Sequence, residues 1–261
     1  MKDRFILSLI ILTISIFTLL INHAVAEFKT ISIGADVWYP YNGISKSSEL
    51  GFMIDIAVEV FKEKGYSVDY KNLPWNRAKD ECRKGKMDAV VGASKDDVPD
   101  FIFPEIEQGV SKTVFWVKKG STWRYDGIRS LEEIKVGVIA DYLYGDEFDN
   151  YVKKYNGNVQ RVQVAHGDTA LSSNIKKLMK ERIGTFVEDI MVCSVELKNM
   201  KLSEEVVPAG QLVENNVYMA FSPKLETSKT YAEILTEGMM SLRKTGKLKT
   251  ILDKYGLSDW K

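Results

Sequence analysis

The sequence has 261 residues, of which 45% are hydrophobic and 28% charged, a composition typical of a globular protein with one large or two small domains. Its 36 basic residues balance 36 acidic residues without a basic block, so we expect no nucleic-acid partner. The sequence contains no phosphate-binding loop, nucleophile elbow or histidine pair for zinc, so we expect no cofactor and no metal.

The N-terminal segment, residues 1–26, predicts a secretory signal peptide. Lys2 and Arg4 precede an apolar segment at residues 5–21, and small residues follow at 24–26. An uncleaved membrane anchor stays open as an alternative, because the apolar segment is slightly long for a signal peptide. We expect the mature chain to be exported.

The mature chain begins with the alternation of strands and helices that is typical of a parallel sheet. We expect, in order, a strand, a helix and a strand at residues 28–35, 51–64 and 66–72. Pro74 then begins a second helix and Gly85 ends it. The apolar run at residues 89–91 follows, and it predicts a strand buried on both faces.

The remaining chain continues this alternation. Further strands are expected at residues 110–118, 136–139, 159–164, 186–187, 206–207 and 217–221. Further helices are expected at residues 141–155, 170–180, 190–198, 228–245 and 248–255. The two runs of strands and helices predict two α/β lobes that join near residues 110 and 215, with a cleft and a hinge between them.

Candidate ligand contacts follow the carboxyl ends of the strands, because open parallel sheets bind ligands there. They are aromatic, acidic, basic or hydroxyl side chains that could contact a ligand. The first lobe supplies Asp36, Trp38, Tyr39, Trp75, Arg77, Ser94 and Lys95, and the second lobe supplies Tyr142, Glu188 and Asp189.

Several of these residues have a structural alternative. An aromatic side chain could pack the lobe, Arg77 could form a surface salt bridge, and Lys95 could be solvated. Asp189 could instead be the N-cap of the helix that follows it. Glu188 and Asp189 are adjacent in a strand and would point to opposite faces, which is poor geometry for paired acid–base catalysis.

The two cysteines, Cys82 and Cys193, are far apart in the sequence. A disulfide requires their Cα atoms to lie within about 7 Å of each other, and we place the two residues in different lobes. We therefore expect two separate buried thiols, although an exported protein could form the disulfide.

Four segments resemble a known family. They are Gly-Phe-Met-Ile-Asp-Ile-Ala at 51–57, Gly-Lys-Met-Asp-Ala-Val-Val at 85–91, Lys-Val-Gly-Val at 135–138 and Leu-Arg-Lys-Thr-Gly-Lys-Leu-Lys-Thr-Ile-Leu-Asp-Lys-Tyr-Gly at 242–256. In order and spacing they look like solute-binding protein family 3, the periplasmic binding proteins of polar amino-acid ABC importers. The resemblance covers residues 27–261.

The resemblance implies a two-lobed α/β periplasmic-binding-protein fold of type II, with lobe 2 inserted into lobe 1. Two strand crossings would act as the hinge. With the predicted signal peptide removed, lobe 1 would comprise residues 27–110 and 216–261, and lobe 2 would comprise residues 111–215.

The resemblance also assigns roles to candidate residues. Trp38 or Tyr39 matches the aromatic residue of the first loop, and Trp75 matches a second aromatic residue. In lobe 2, Asp189, with Glu188 adjacent, matches the acidic residue that takes the ligand's ammonium group. The family's arginine that clamps the α-carboxylate is absent here.

The missing arginine leaves the ligand open. Lys95 or Arg77 could stand in for it, but a lysine cannot reproduce the two-pronged contact of an arginine with a carboxylate. The ligand could therefore be an amine, a modified amino acid, a peptide or a small organic acid.

The function implied by the resemblance is binding and delivery rather than catalysis. A monomer would capture a small polar solute by lobe closure and present it to an ABC permease in the inner membrane. Two alternatives stay open: a dehydratase-like enzyme on the same fold, with Glu188 as its general acid, and a sensor that binds a ligand without transport.

Overall fold

The computed structural model describes residues 29–261, and the predicted signal peptide at residues 1–26 lies outside the described residues. In the described part of the chain, no helix has the length and apolarity needed to cross a membrane.

Strands and helices alternate along the described chain. The first group is β1 (Lys29–Ala35), α1 (Phe52–Glu63), β2 (Tyr66–Asn72), α2 (Trp75–Arg83) and β3 (Ala89–Ala93). The second group is β4 (Gly109–Lys118), a 3-10 helix (Ile128–Glu133), β5 (Val136–Ile139), α3 (Asp146–Lys154), β6 (Val162–Ala165), α4 (Ala170–Met179), β7 (Thr185–Asp189) and α5 (Ile190–Asn199). The chain closes with β8 (Val206–Phe221), α6 (Ser228–Thr245) and α7 (Lys247–Asp253).

One sheet runs through the molecule, in the strand order β2-β1-β3-β8-β4-β7-β5-β6. Strands β1, β2 and β3 are parallel to one another, as are β5, β6 and β7, and each set belongs to one lobe. The long strand β8 pairs with β3 in lobe 1 and with β4 along its length toward lobe 2. Strands β4 and β8 therefore connect the lobes, and the predicted fold class is confirmed.

Each lobe has its own hydrophobic core. In lobe 1, Ile31, Phe61 and Leu235 are fully buried between the sheet and helices α1 and α6. In lobe 2, Phe115 and Phe186 are fully buried in two clusters on either side of the sheet. Burial of each such side chain stabilises the fold by roughly 1.5–3 kcal/mol.

Helix α2 lies where the sequence predicted it. It begins directly after Pro74, whose φ is −51°, and the chain leaves it through Gly85, whose φ is +74°. Ala78 and Cys82 lie one helical turn apart and are both fully buried. Proline suits a first turn and glycine suits a left-handed residue after a helix, so both predictions are confirmed.

The helix predicted at residues 141–155 begins later, and its first part is a loop. Asp141 has a φ of +68° and Gly145 a φ of +100°, neither of which is compatible with a right-handed helix. The Asp149 carboxylate accepts hydrogen bonds from the backbone N–H groups of Tyr144 and Gly145, which holds this loop against the start of α3. Tyr142 therefore lies on a loop at the carboxyl end of β5.

The strands predicted separately at residues 206–207 and 217–221 are one strand, β8, of 16 residues. Its middle part is polar, so the sequence there lacks the apolar pattern of a core strand. It extends because β4 pairs with it from Gly109 to Lys118. The polar segment crosses between the lobes, where it has no core to face.

The two cysteines are buried and free. Cys82 packs in lobe 1 and Cys193 in lobe 2, as predicted. Burial raises the pKa of the Cys82 thiol to about 12, so this thiol stays protonated and unreactive near neutral pH.

Helices α1 and α6 cross at Gly238. A Cβ atom added to this residue would lie 2.3 Å from Cγ1 of Val60 in α1. We expect Gly238→Ala to lower the free energy of unfolding by about 1–2 kcal/mol, because the overpacking outweighs the gain in helix propensity. Urea unfolding measures this change.

The Val60→Ala variant provides a control for the effect of Gly238→Ala on the helix crossing. Val60→Ala removes the two methyl groups nearest the new Cβ and leaves only the Val60 Cβ at 2.9 Å, so Gly238→Ala should cost less in that background. An equal cost in both backgrounds would contradict the packing explanation.

Candidate ligand-binding site

A cavity of about 100 Å³ lies between the two lobes. Loops at the carboxyl ends of β1, β2 and β3 line it from lobe 1, and the ends of β5 and β7 line it from lobe 2. The crossing strands β4 and β8 line it with Ser111, Thr113, Asn215 and Val217. The cavity thus collects side chains from both lobes and from the strands that join them.

Two tryptophans line the cavity from lobe 1. Trp38 stacks on Tyr41, with ring centroids 4.0 Å apart and an interplanar angle of 15°. Trp75 donates a hydrogen bond from Nε1 to Oδ2 of Asp97 at 2.9 Å. These neighbours fix both rings, which can then offer flat apolar surface to a ligand.

Asp36 and Tyr142 meet across the cleft. The Tyr142 hydroxyl donates a hydrogen bond to Oδ2 of Asp36 at 3.0 Å, and the two residues come from different lobes. Burial raises the pKa of the Asp36 carboxyl to about 6, although the Tyr142 hydrogen bond opposes this shift. The pair therefore links lobe closure to a carboxyl group that titrates near neutral pH.

Glu188 lies at the end of β7 and lines the cavity from lobe 2. Its side chain is only 3% exposed, and Oε1 accepts a hydrogen bond from the backbone N–H of Asp189 at 2.8 Å. Burial raises the pKa of this carboxyl to about 8, with a further rise from the charge of Asp189. Much of it is protonated at neutral pH.

Asp189 is buried and does not line the cavity. Its Oδ1 caps α5 by accepting hydrogen bonds from the N–H groups of Met191 and Val192, at 2.8 and 3.1 Å. Its Oδ2 accepts hydrogen bonds from the Tyr41 hydroxyl at 3.1 Å and the Ser111 hydroxyl at 2.9 Å. The structure places Asp189 in the capping role that the sequence left open, and ligand contact through it stays a prediction.

The comparisons with known proteins agree with this architecture. The family model of the bacterial extracellular solute-binding proteins, family 3, matches residues 31–258. The chain belongs to this family. No curated protein matches the sequence of this solute-binding protein.

Solved structures show the same fold. A histidine kinase sensor domain with similarity to periplasmic binding proteins superposes with a TM-score of 0.69 at 18% identity, covering 87% of this chain and 96% of that one. The substrate-binding protein of an amino-acid ABC transporter gives 0.66 at 18%, covering 87% and 98%. An ancestral amino-acid-binding protein, a precursor of cyclohexadienyl dehydratase, gives 0.65 at 17%, covering 87% and 95%.

Two further predicted ligand contacts of this solute-binding protein, Ser94 and Tyr39, differ in whether they reach the cavity. Ser94 lines the cavity, and its hydroxyl accepts a hydrogen bond from the backbone N–H of Asp97. Tyr39 does not line it, and its ring instead packs against Tyr255 with centroids 5.9 Å apart. Of the two aromatic residues that could match the first loop, the structure brings Trp38 to the cavity.

The two basic candidates lie outside the cavity lining. The Arg77 side chain is 64% exposed and forms an ion pair with Glu81, one helical turn away, at 2.8 Å. Lys95 lies with its ammonium group 5.2 Å from the centre of the Tyr218 ring. The structure brings neither side chain into the lining, and ligand contact through either residue stays a prediction.

Several cavity residues were missed from the sequence. Asn42 gives no signal, because an asparagine in a polar loop is common. Tyr144 was assigned to a helix that begins only after it. Ser111 and Thr113 did carry a signal, since they alternate along a strand that was predicted to cross between the lobes.

Proposed function

We propose that this protein is a periplasmic, monomeric solute-binding protein that captures a small polar solute between its lobes and presents it to an ABC permease in the inner membrane. The observation that carries this proposal is a cavity lined by polar groups from both lobes. A ligand shifts an equilibrium toward closure only if it binds the closed state better, and contacts with both lobes provide that difference.

The connection between the lobes supports the same proposal. Within residues 29–261, only the paired strands β4 and β8 carry the sheet from one lobe to the other. Two crossing strands can bend as a hinge while each lobe keeps its own core. Family membership and the fold of the ABC transporter's substrate-binding protein agree with this mode of action.

The test begins with the solute itself. Mass spectrometry of the protein after native purification identifies a retained compound, and calorimetry then measures its affinity. Small-angle scattering should show a more compact envelope once the solute is added. A protein whose envelope stays the same with every solute would contradict the proposal.

Import and sensing differ in a cellular measurement. Cells that lack this protein should lose uptake of the identified solute if it serves an importer. Unchanged uptake would favour a sensor instead.

Replacing Trp75 with alanine should weaken binding of the retained solute by about tenfold, because a lost aromatic contact is worth roughly 1–1.5 kcal/mol. Lobe 1 should stay folded, since the ring is only partly buried. Trp123→Ala is the matched control: Trp123 is also partly buried and hydrogen-bonded through Nε1, but it lies outside the cavity lining. Calorimetry of both variants measures the difference, and equal affinities would remove Trp75 from the site.

The environment of Glu188 supports a second candidate function, that of a dehydratase-like enzyme. A buried carboxyl whose pKa lies at about 8 can act as a general acid at neutral pH. Incubation with prephenate tests this candidate, since release of the dehydrated product would establish catalysis. Stable binding in a 1:1 ratio without product would exclude it for this substrate.

A further inference from the structure

The ionisable Asp and Glu side chains of the cavity lining have no basic counterpart among the described residues of that lining. Asp36, Asp97 and Glu188 line it, whereas no lysine or arginine among residues 29–261 does so. Asp97 is already paired, because it accepts hydrogen bonds from the Lys79 ammonium group at 2.8 Å and from the Trp75 indole at 2.9 Å. Two carboxyl groups, those of Asp36 and Glu188, therefore face the cavity without a basic partner in the described chain.

Two lysines beside the cavity lining have other contacts. Lys79 is committed to Asp97, and both side chains of that ion pair are nearly buried. Lys112, on the crossing strand β4, pairs with Glu214 at 2.9 Å. Lys95 follows the cavity-lining Ser94 and forms no ion pair among the described residues, but its ammonium group lies over the rings of Phe103 and Tyr218, outside the lining.

Asn42 provides an independent observation. It lines the cavity and is 1% exposed, and its Oδ1 atom has no hydrogen-bond partner among the described residues. Its Nδ2 donates to the backbone carbonyl of Asp36 and to the Tyr70 hydroxyl, so rotating the amide would set two carbonyl oxygens against each other. A buried acceptor of this kind is satisfied by an N–H or O–H donor from a bound molecule, either a water or a ligand.

The two tryptophans of the cavity also favour a cationic ligand. The rings of Trp38 and Trp75 line the cavity beside the acidic groups. The face of an indole ring carries negative charge and attracts ammonium and guanidinium groups. The carboxyl groups, the orphan amide oxygen and the indole faces are complementary to a cation that carries N–H donors. The buried Trp38 Nε1–H has no partner within hydrogen-bond distance among the described residues, but it interacts with Glu188 and lowers the pKa of that carboxyl.

We propose that the site takes an organic cation without a carboxylate, namely an amine, an amidine or a guanidine, held by Glu188 and Asp36. The inference rests on the proposed function and names the class of its solute. A carboxylate on the ligand would lose its hydration and meet two acidic groups without gaining a basic partner.

Proton release should accompany binding. Burial raises the pKa of Asp36 to about 6 and that of Glu188 to about 8, so both are partly protonated near neutral pH. A bound cation favours their ionised forms. Affinity should therefore rise as the pH increases from about 6 to about 8, and protons should be released in this range.

The surroundings of these two carboxyls decide which groups titrate with them. Near Glu188 lie Asp36, Asp189, Tyr41, Tyr142, Tyr144 and Cys193, and near Asp36 lie Tyr70, Tyr142, Lys79, Asp168 and Glu188. Burial raises the pKa of each of these phenols and of the Cys193 thiol, so they stay protonated in this range. The carboxyls are thus the groups that respond.

The experiment compares matched pairs of compounds that differ only in a carboxylate: agmatine with arginine, and putrescine with ornithine. Calorimetry at pH 8, together with mass spectrometry of any retained solute, measures the preference. We expect at least one decarboxylated compound to bind at least tenfold tighter than its parent amino acid, and the retained solute to be a cation without a carboxylate.

Glu188→Gln should weaken binding of the preferred cation at least tenfold at pH 8 and remove most of the proton release. The amide oxygen of the new side chain would still accept a hydrogen bond from the Asp189 N–H, so the fold is maintained. Glu214→Gln removes one negative charge from an exposed ion pair outside the cavity and should change the affinity less than twofold.

The possible outcomes separate the two proposals. Tighter binding of the parent amino acids, or a retained solute with a carboxylate, would overturn the inference about charge while lobe closure on that solute still supports the proposed function. Equal affinities of Glu188→Gln and the unchanged protein would also overturn the inference. A protein that binds and retains no solute would overturn both.

Discussion

Replacing Asp189 with alanine is expected to lower the free energy of unfolding by about 3–5 kcal/mol, the range for a buried charged group whose partners are left unsatisfied. Its carboxylate accepts hydrogen bonds from Tyr41, Ser111, Lys112, Met191 and Val192. Three of the five donors are backbone N–H groups, which cannot turn to another partner. Asp189 also joins the lobes, since Tyr41 belongs to lobe 1 and α5 to lobe 2.

Urea unfolding measures the loss, and two further variants make the test specific. Asp189→Asn should destabilise less than alanine but still measurably, because either amide orientation sets its NH₂ group against a backbone N–H, at Lys112 or at Met191. Asp253→Ala removes a carboxylate from an exposed ion pair and should cost less than about 1 kcal/mol. A loss below 1 kcal/mol for Asp189→Ala would contradict the proposed network.

Local rules predicted the lobe architecture because the residues that determine it act locally. Pro74 and Gly85 set the start and the end of α2 through their own backbone preferences. The apolar composition of residues 89–91 indicates a buried strand. The prediction that the helix begins at Asp141 was wrong, because Asp141 adopts a positive φ that aspartate rarely has. The prediction of strand β8 was incomplete, because the polar middle of this strand is held by its pairing with β4. No local sequence pattern encodes that pairing.

The site was harder to predict than the fold. The rule that ligands bind at carboxyl strand ends identified the loops that carry Trp38, Trp75 and Tyr142. It could not decide which of two adjacent acids faces the cavity, because that depends on the register of β7. Glu188 faces the cavity, whereas Asp189 points away and caps α5.

Asn42 shows the limit of such reasoning most clearly. Its importance arises from an unsatisfied Oδ1 atom in a buried position, and both properties depend on the surrounding fold, including Tyr70, which lies 28 residues away in the sequence. Its amide is oriented by Asp36 and by Tyr70 on β2. Only the folded chain brings these three residues together.

The stability of the unliganded protein is expected to depend on pH through Glu188. The pKa of this carboxyl is raised from 4.5 to about 8 by burial, so between these values the folded state holds a proton that the unfolded state has lost. Such a group contributes stability that is fully present below the unfolded pKa and is lost as the pH rises toward the folded pKa. The unchanged protein should therefore lose stability through this group between about pH 5 and pH 8.

Glu188→Gln removes this titration, so the difference in unfolding free energy between the variant and the unchanged protein should grow with pH. We expect it to shift in favour of the variant by on the order of 3–5 kcal/mol between pH 4.5 and pH 8, since each pKa unit corresponds to about 1.4 kcal/mol. Because Asp36 also has a raised pKa and is present in both proteins, taking the difference between them removes most of its contribution.

Urea unfolding at intervals of half a pH unit, without added solute, measures this difference. Glu214→Gln serves as the control because its carboxylate lies in an exposed ion pair, and its difference from the unchanged protein should vary by less than about 0.5 kcal/mol over the same range. A difference for Glu188→Gln that stays flat from pH 5 to pH 8 would mean that this carboxylate remains hydrated and ionised in the folded protein. In that case Glu188 would already be ionised before a cation binds, and the proton release expected on binding would not come from this carboxyl.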